Sequence, residues 1–348
     1  MKTENDIAAL ISQQLDRLLG AQVDVDTRKS VETGQFDDVL WRDCQDLGFA
    51  AALVPEGAGG VGLTWAEIYP SLMVLGKHAA PVPLGETMVA NRLLQDAGLD
   101  LVQGAIATGF DLLSLTDDNL VNGMARGVTW APVCPHVIVL AQRDGQVYLC
   151  LMQTADLTLG AIDTLSREPA ADITCNGVAP VAMAALGPDF TERTLLAHFA
   201  VLYSAQIAGA IGFMLPLCVE YANDRVQFGR PIAKFQAIQH TLAQLASEAA
   251  ASQAAAIFAC GKADAGAVEY GAMVAMARAG RAATLSAEIA HQVFGAIGFT
   301  DEHSLHYYTR RLWQWRSCTK SDHWWSEQLG DTLITAGGDA LWPSIVAA

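Results

Sequence analysis

Between Leu195 and Val219 the chain runs for 25 residues without a formal charge, histidine taken as neutral. As one helix that stretch is long enough to cross a bilayer. It must therefore be buried, either in lipid or at the centre of a protein core. Its details argue against lipid. His198, Ser204 and Gln206 dilute it, Pro216 interrupts it, and Arg193 and Glu220 bracket it without a basic flank. It also leads directly into a segment dense in side chains that bind ligands. The sequence therefore predicts a buried central helix and no membrane span.

That segment is Arg225–His240. The helical run Leu215–Asp224 delivers Arg225 and then meets Phe228-Gly229-Arg230-Pro231. Gly229 permits a turn, and Pro231 suits the first position of a new helix. The expectation is a helix–turn–helix corner carrying a cation (Arg225), an amide (Gln227) and an aromatic (Phe228). That trio suits a phosphorylated, flat-ringed ligand such as a dinucleotide. The rival reading is a plain corner whose Phe packs inward and whose Arg is solvated. Residue types alone leave both open.

Composition narrows the function classes. Of 348 residues, 52% are hydrophobic and 17% charged, which fits a heavily buried and oligomeric protein. A formal net charge of −16 excludes the basic footprint that nucleic-acid binding needs. No Lys/Arg block offers a membrane anchor. The seven cysteines are scattered and lack CxxC spacing, so they read as reduced core residues and not as a disulfide frame or metal site. Met1–Asp6 is acidic and polar, unlike a secretory leader, and a cytoplasmic protein is expected.

Periodicity predicts a mainly α chain with a small β domain. Residues 1–104 read as helical, with stripes at Ile7–Leu19 and Phe36–Leu47 and a helix over Trp65–Lys77. Gly57, Gly59 and Gly62 spell GxGxxG, but Pro55-Glu56 breaks the strand approach and no acidic residue follows at the spacing of a dinucleotide fold. Residues 105–187 form the β domain, with strands at Val137–Leu140, Val147–Met152 and Ile173–Cys175 and a hairpin connection at Gln142–Gln146. Residues 188–348 are helical again, with Ala-rich runs at His240–Cys260 and Ala267–Val293 joined by a turn at Gly261–Gly266. The tryptophans Trp313, Trp315, Trp324 and Trp325 read as core or interface.

Three motifs converge. Arg225-x-Gln227-Phe228-Gly229-x-Pro231-Ile232-x-x-Phe235-Gln236-x-x-Gln239 resembles the signature of the acyl-CoA dehydrogenase family. His291–Thr300 is similar to that family's Gln-x-x-Gly-Gly-x-Gly-Phe loop, with Ala296 in place of one glycine. Val54–Gly62 resembles its Val-Pro-Glu-x-x-Gly-Gly-x-Gly turn between N-terminal helices. The resemblance implies an N-terminal helical domain, a middle β domain and a C-terminal four-helix bundle, with FAD as cofactor and an acyl-CoA as substrate. The β domain departs from the pattern. Leu115–Asp118 and Gly123–Thr129 stand near two of the family's flavin-gripping motifs, with Ala125 in place of a Lys and Gly127 in place of a Trp.

The family's catalytic carboxylate occupies one of two positions, which fall here on Thr319 and Phe199. Neither can remove a proton as a carboxylate does. Asp322, Glu327, Glu192 and His198 lie nearby. No catalytic residue is assigned in this chain. What remains is the half-site that, in family tetramers, holds the diphosphate end of a neighbour's flavin: Arg225, Gln227, Phe228, Gln236, Gln292, Gly295 and Ala296. The resemblance then implies one degenerate member of a heteromeric enzyme, similar to those of bacterial steroid side-chain degradation. FAD would be shared across a subunit interface with a complete partner subunit, two copies of each, and electrons would pass to an electron-transfer flavoprotein or similar acceptor. Two alternatives stand beside it: a homo-oligomeric dehydrogenase with a displaced base, and a flavin-free structural subunit.

Overall fold

The computed structural model describes residues 4–346; Met1–Thr3 of the polar start lie outside them. The chain divides into two compact units. One takes in the chain up to Ser71 together with Ala80–Phe199, the other Leu72–Ala79 together with the chain from Ala200 onward.

In the first unit, α1 (Glu4–Gln22), α2 (Val25–Glu32) and α3 (Asp38–Asp46) precede the longer α4 (Trp65–His78) and α5 (Leu84–Asp96). The α1 stripe is narrower than its hydrophobicity suggests. Ala8, Ile11, Leu15 and Leu19 are buried, whereas Ile7 and Leu10 are exposed, because only one face of the helix meets the core. Asp24 and Asp37 cap α2 and α3 through the Thr27 and Leu40 amides. Gly57, Gly59 and Gly62 lie in a tight connection built from 3-10 turns at Phe49–Ala51 and Glu56–Ala58. The Gly62 N–H donates to the Val54 carbonyl at 2.7 Å, and no strand precedes the glycines among the described residues. They shape a turn between helices.

The seven-stranded sheet follows: β1 (Ile106–Leu115), β2 (Val121–Thr129), β3 (His136–Arg143), β4 (Gln146–Gln153), β5 (Thr158–Ile162), β6 (Ala170–Val178) and β7 (Ala182–Ala185). Their order is β5-β6-β2-β1-β3-β4-β7, with β1 and β3 parallel and the other neighbours antiparallel. The hairpin predicted at Gln142–Gln146 is present, turning at Asp144 and Gly145. β2 shows no apolar run. Its reading Val-Asn-Gly-Met-Ala-Arg-Gly-Val-Thr becomes a strand because β1 and β6 pair with it on either side.

The helix α6 (Glu192–Asp224) is the uncharged run of the sequence extended at both ends. It is the one helix among the described residues long and apolar enough to span a membrane, and 72% of its apolar window is buried within the protein. In the second unit α6 and the end of α4 pack backbone to backbone. A Cβ on Gly209 would collide with the Met73 carbonyl, and one on Gly76 with the Gln206 carbonyl. After α6 come a two-stranded hairpin, β8 (Val226–Gln227) and β9 (Arg230–Pro231), then α7 (Gln236–Asp264), α8 (Val268–Phe294), α9 (Leu305–Cys318), α10 (Asp322–Ala336) and α11 (Gly338–Val346). α8 is the centre of this bundle, packed against α7, α9 and α10.

Two local expectations are corrected. The turn foreseen at Gly261–Gly266 is shorter, since α7 continues through Asp264 and only Ala265–Ala267 link it to α8. Arg225–Pro231 is a β-hairpin and not a helix–turn–helix corner. Phe228 (φ 52°) and Gly229 (φ 77°) both take positive φ, which gives the twist that a two-residue hairpin loop requires. Pro231 therefore sits in a strand ahead of a 3-10 turn, Ile232–Lys234, and the next helix begins at Gln236.

Candidate functional site

Three chain ends meet at one end of the bundle. α6 finishes there, α7 starts there, and α8, returning antiparallel to α7, finishes there. Tyr221 fastens the join. Its ring stacks on Phe294 with centroids 4.4 Å apart, and its hydroxyl donates to the Phe294 carbonyl at 3.2 Å. Tyr221 also accepts the Arg225 N–H through its own carbonyl, at 2.9 Å. The hairpin that carries Arg225 is thereby tied to the helix end that carries Gly295.

On this frame the predicted residues are exposed. Arg225 ends the last turn of α6, and Ile232 N–H donates to its carbonyl at 2.8 Å. Gln227 lies in β8. Phe228, at the hairpin tip, is 92% exposed and meets only the edge of Phe235, at 6.1 Å. The reading in which this Phe packs inward therefore fails. Gln236 is the first residue of α7, and Gln292 stands in the last turn of α8. Among the described residues, the side chains of Arg225, Gln227, Gln236 and Gln292 make no hydrogen bond or ion pair. Arg230 differs, because its guanidinium lies over the Phe235 ring at 4.3 Å. Gly295 takes φ 64° and ψ −142°, a conformation that suits glycine, and the space a Cβ would fill is open. Ala296 follows, exposed, in the 3-10 turn Gly295–Phe299. An arginine fork, unpaired amides, an open aromatic face and a glycine at a helix end fit a diphosphate linked to a flat base.

The two β2 positions at which the resemblance looks for a lysine and a tryptophan differ from each other: Ala125 is buried, whereas Gly127 is exposed with open space beside it. Because Ala125 is fully buried, a lysine there would have to carry its charge into the core. Gly127 has φ 64°, and its N–H donates to Asp172 Oδ1 at 2.8 Å. The neighbouring Arg126 N–H donates to Asp111 Oδ2 at 2.7 Å. Leu115 ends β1, and Thr116–Asp118 lie in the tight link to β2, which the Thr116 N–H closes by donating to the Leu120 carbonyl at 2.9 Å.

Phe199 and Thr319, the positions to which the resemblance points for the base, carry no carboxylate. Phe199 is buried edge-on to Phe110 at 5.2 Å. Thr319 is buried at the end of α9. The substitutes are engaged elsewhere. Asp322, in the first turn of α10, packs over Gly280, and exposed Glu327 faces His323 at 3.1 Å. His198 stacks on Trp65 at 6.0 Å, its Nδ1 is sealed without a partner, and burial lowers its pKa to about 4. It is a neutral packing residue. Trp313 faces His291 and not Arg310, whose guanidinium lies near the Tyr307 ring. Trp315 and Trp325 are core.

Two supports are not singled out by the sequence motifs: Tyr221, which lies outside them, and His291, the first residue of the glycine-loop stretch. Tyr221 stands one helical turn before Arg225, and that spacing is the sequence signal for it.

The described residues thus form a helical segment, a seven-stranded sheet and a C-terminal helical bundle, in that order. Residues 187–315 match the family "Acyl-CoA dehydrogenase, C-terminal domain". The chain is 31% identical over 284 residues to acyl-CoA dehydrogenase IpdE2 of Mycobacterium tuberculosis, covering 79% of this chain and 80% of that one. It is 31% identical to the IpdE2 of Mycolicibacterium smegmatis over 283 residues, 79% and 82% of the two chains. In structure it is similar to the ChsE4–ChsE5 complex from Mycobacterium tuberculosis, with a TM-score of 0.86, 21% identity and coverage of 95% and 97%. A Tcur3481–Tcur3483 steroid ACAD gives 0.86 at 24% identity over 97% and 100%. The chain belongs to the acyl-CoA dehydrogenase family.

Proposed function

We propose that this chain is one subunit of a heteromeric FAD-dependent acyl-CoA dehydrogenase, contributing the diphosphate-side contacts to a flavin whose ring is held by a complete partner subunit. The reaction is α,β-dehydrogenation of an acyl-CoA thioester. A steroid-derived acyl-CoA is the substrate class we take from the one similar structure whose name describes a steroid ACAD. The observation that carries the reading is the exposed set Arg225, Gln227, Gln236 and Gln292, four polar side chains without partners at one bundle end. In this reading residues 1–104, 105–187 and 188–348 act as the helical, β and helical-bundle domains, and the enzyme assembles as two unlike pairs in the cytoplasm. Six of the seven cysteines are buried and all seven are free thiols, which suits a reducing compartment.

When bound, FAD supplies the hydride acceptor. This chain's residues bind and orient. Arg225 offers paired donors to the diphosphate, and Gln227, Gln236 and Gln292 offer amide hydrogen bonds. Phe228 offers a ring face, and Gly295 lets backbone approach the ligand. The carboxylate that removes the α-proton belongs to the partner, as does the path for electrons to an electron-transfer flavoprotein.

Arg225→Ala in the co-expressed complex tests the reading. Loss of a charge-assisted hydrogen bond should weaken FAD binding by roughly 10- to 150-fold. Arg225→Lys should recover only part of that, since a point charge does not reproduce a planar fork. Arg230→Ala is the control and should leave flavin content unchanged. Equal flavin affinity in wild type and all three variants would refute the reading.

A further inference from the structure

Beside the diphosphate-side residues lies a ring column that the proposed function leaves unused. His291 stands in the last turn of α8, directly before Gln292. Its carbonyl receives the Gly295 N–H that closes the helix. Its imidazole lies nearly parallel to the Phe299 ring, at 4.1 Å and 18°, and nearly parallel to the Trp313 indole, at 6.0 Å and 19°. Nε2 is 2.9 Å from the Thr309 hydroxyl, which in turn points to the His306 carbonyl at 3.5 Å. His291 Nδ1 is sealed from solvent and makes no hydrogen bond among the described residues. A Cβ on Gly298 would meet Phe294, Leu305 and, at 3.4 Å, this Nδ1, so the turn is packed down onto the ring.

Phe299 is otherwise 69% exposed. The imidazole meets the far end of the turn and the His291 carbonyl takes the Gly295 N–H at the near end, with buried Gly298 packed on Phe294 and Leu305 between them. One residue grips both ends of the turn Gly295–Phe299 and ties it to α9 through Thr309 and Trp313. Surface turns with so few buried contacts open readily unless fastened.

We propose that His291 is a positioning residue that fixes the turn Gly295–Phe299 in its ligand-receiving shape before any ligand arrives. The consequence for affinity rests on the proposed flavin reading. A turn already ordered loses less freedom on binding, so the column tightens binding without touching the ligand.

The test is amide hydrogen exchange of residues 295–300 in the full chain, alone and with its partner subunit, together with FAD affinity of the complex by fluorescence quenching. His291→Ala removes stacking and hydrogen bond and should speed exchange of these amides roughly tenfold. FAD affinity should fall by a similar factor. His291→Phe keeps a flat ring and should stay within about threefold of wild type. Thr309→Val removes only the hydrogen-bond partner, adds little risk of misfolding, and should give about a threefold acceleration. Unchanged exchange in His291→Ala, or equally fast exchange in His291→Phe, overturns the proposal. Faster exchange with unchanged FAD affinity upholds the hold on the turn and overturns the assignment of that turn to the flavin.

Discussion

The bundle end around Arg225 and the β-sheet face around Ala125 depart from the family pattern in opposite ways. At the bundle end the polar side chains persist, exposed and without partners, and the apolar tip Phe228 stands in solvent. At the sheet Ala125 is absorbed into the core, and the exposed Arg126 and Gly127 give their amides to Asp111 and Asp172. Under the proposed function that contrast separates a half-site from a wholly degenerate one.

The contrast can be broken most forcefully at the sheet. Ala125→Lys, the reversion toward the family pattern, should destabilise the chain by several kcal/mol and should not restore flavin to the isolated subunit, because it places an ammonium in the core. Urea unfolding checks this. A stable Ala125→Lys variant that binds flavin alone would mean that the ring side is still functional.

His198 gives the next effect. Its folded pKa of about 4 lies below its ordinary value of 6.5, so the folded state disfavours protonation. The stability this neutral form contributes is fully present above pH 6.5 and is lost as pH falls toward 4, on the order of 3 kcal/mol across that window. Unfolding curves at pH 7 and pH 4.5 should show a smaller acid loss in His198→Gln than in wild type. Identical losses would show that His198 does not titrate as a buried group.

Gly295→Ala sharpens the other half. With φ 64° and ψ −142° the alanine should cost about 1–3 kcal/mol in stability even though the Cβ has space. It should also reduce FAD affinity of the complex. Calorimetry and flavin titration read the two separately. The smallest effect is expected at the hairpin tip. Phe228→Ala should change stability by less than about 0.5 kcal/mol, because the ring touches so little of its own chain. A large thermal destabilisation there would return Phe228 to the core reading.

Much of this is legible in the sequence, and the gaps have physical causes. The uncharged run at Leu195–Val219 points to a buried helix because charge is costly in any core. The two bundle motifs, far apart in sequence, fall at one end only because α7 and α8 run antiparallel. The hairpin is hidden because Pro231 and the flanking helices suggest a helical corner, while the deciding fact, positive φ at Phe228, is rare outside glycine and its close substitutes. Tyr221 is signalled only by its spacing one turn before Arg225, and the contact that His291 makes with α9 is one that no local pattern records.

The central claim is that this chain carries the diphosphate side of a flavin site and lacks the ring side. The direct measurement is bound flavin, read by its visible absorbance, in the protein purified alone and after co-expression with its complete partner subunit. The account predicts a colourless protein alone and a yellow complex whose colour is lost on Arg225→Ala. Stoichiometric flavin in the chain alone, with turnover of an acyl-CoA, would contradict it.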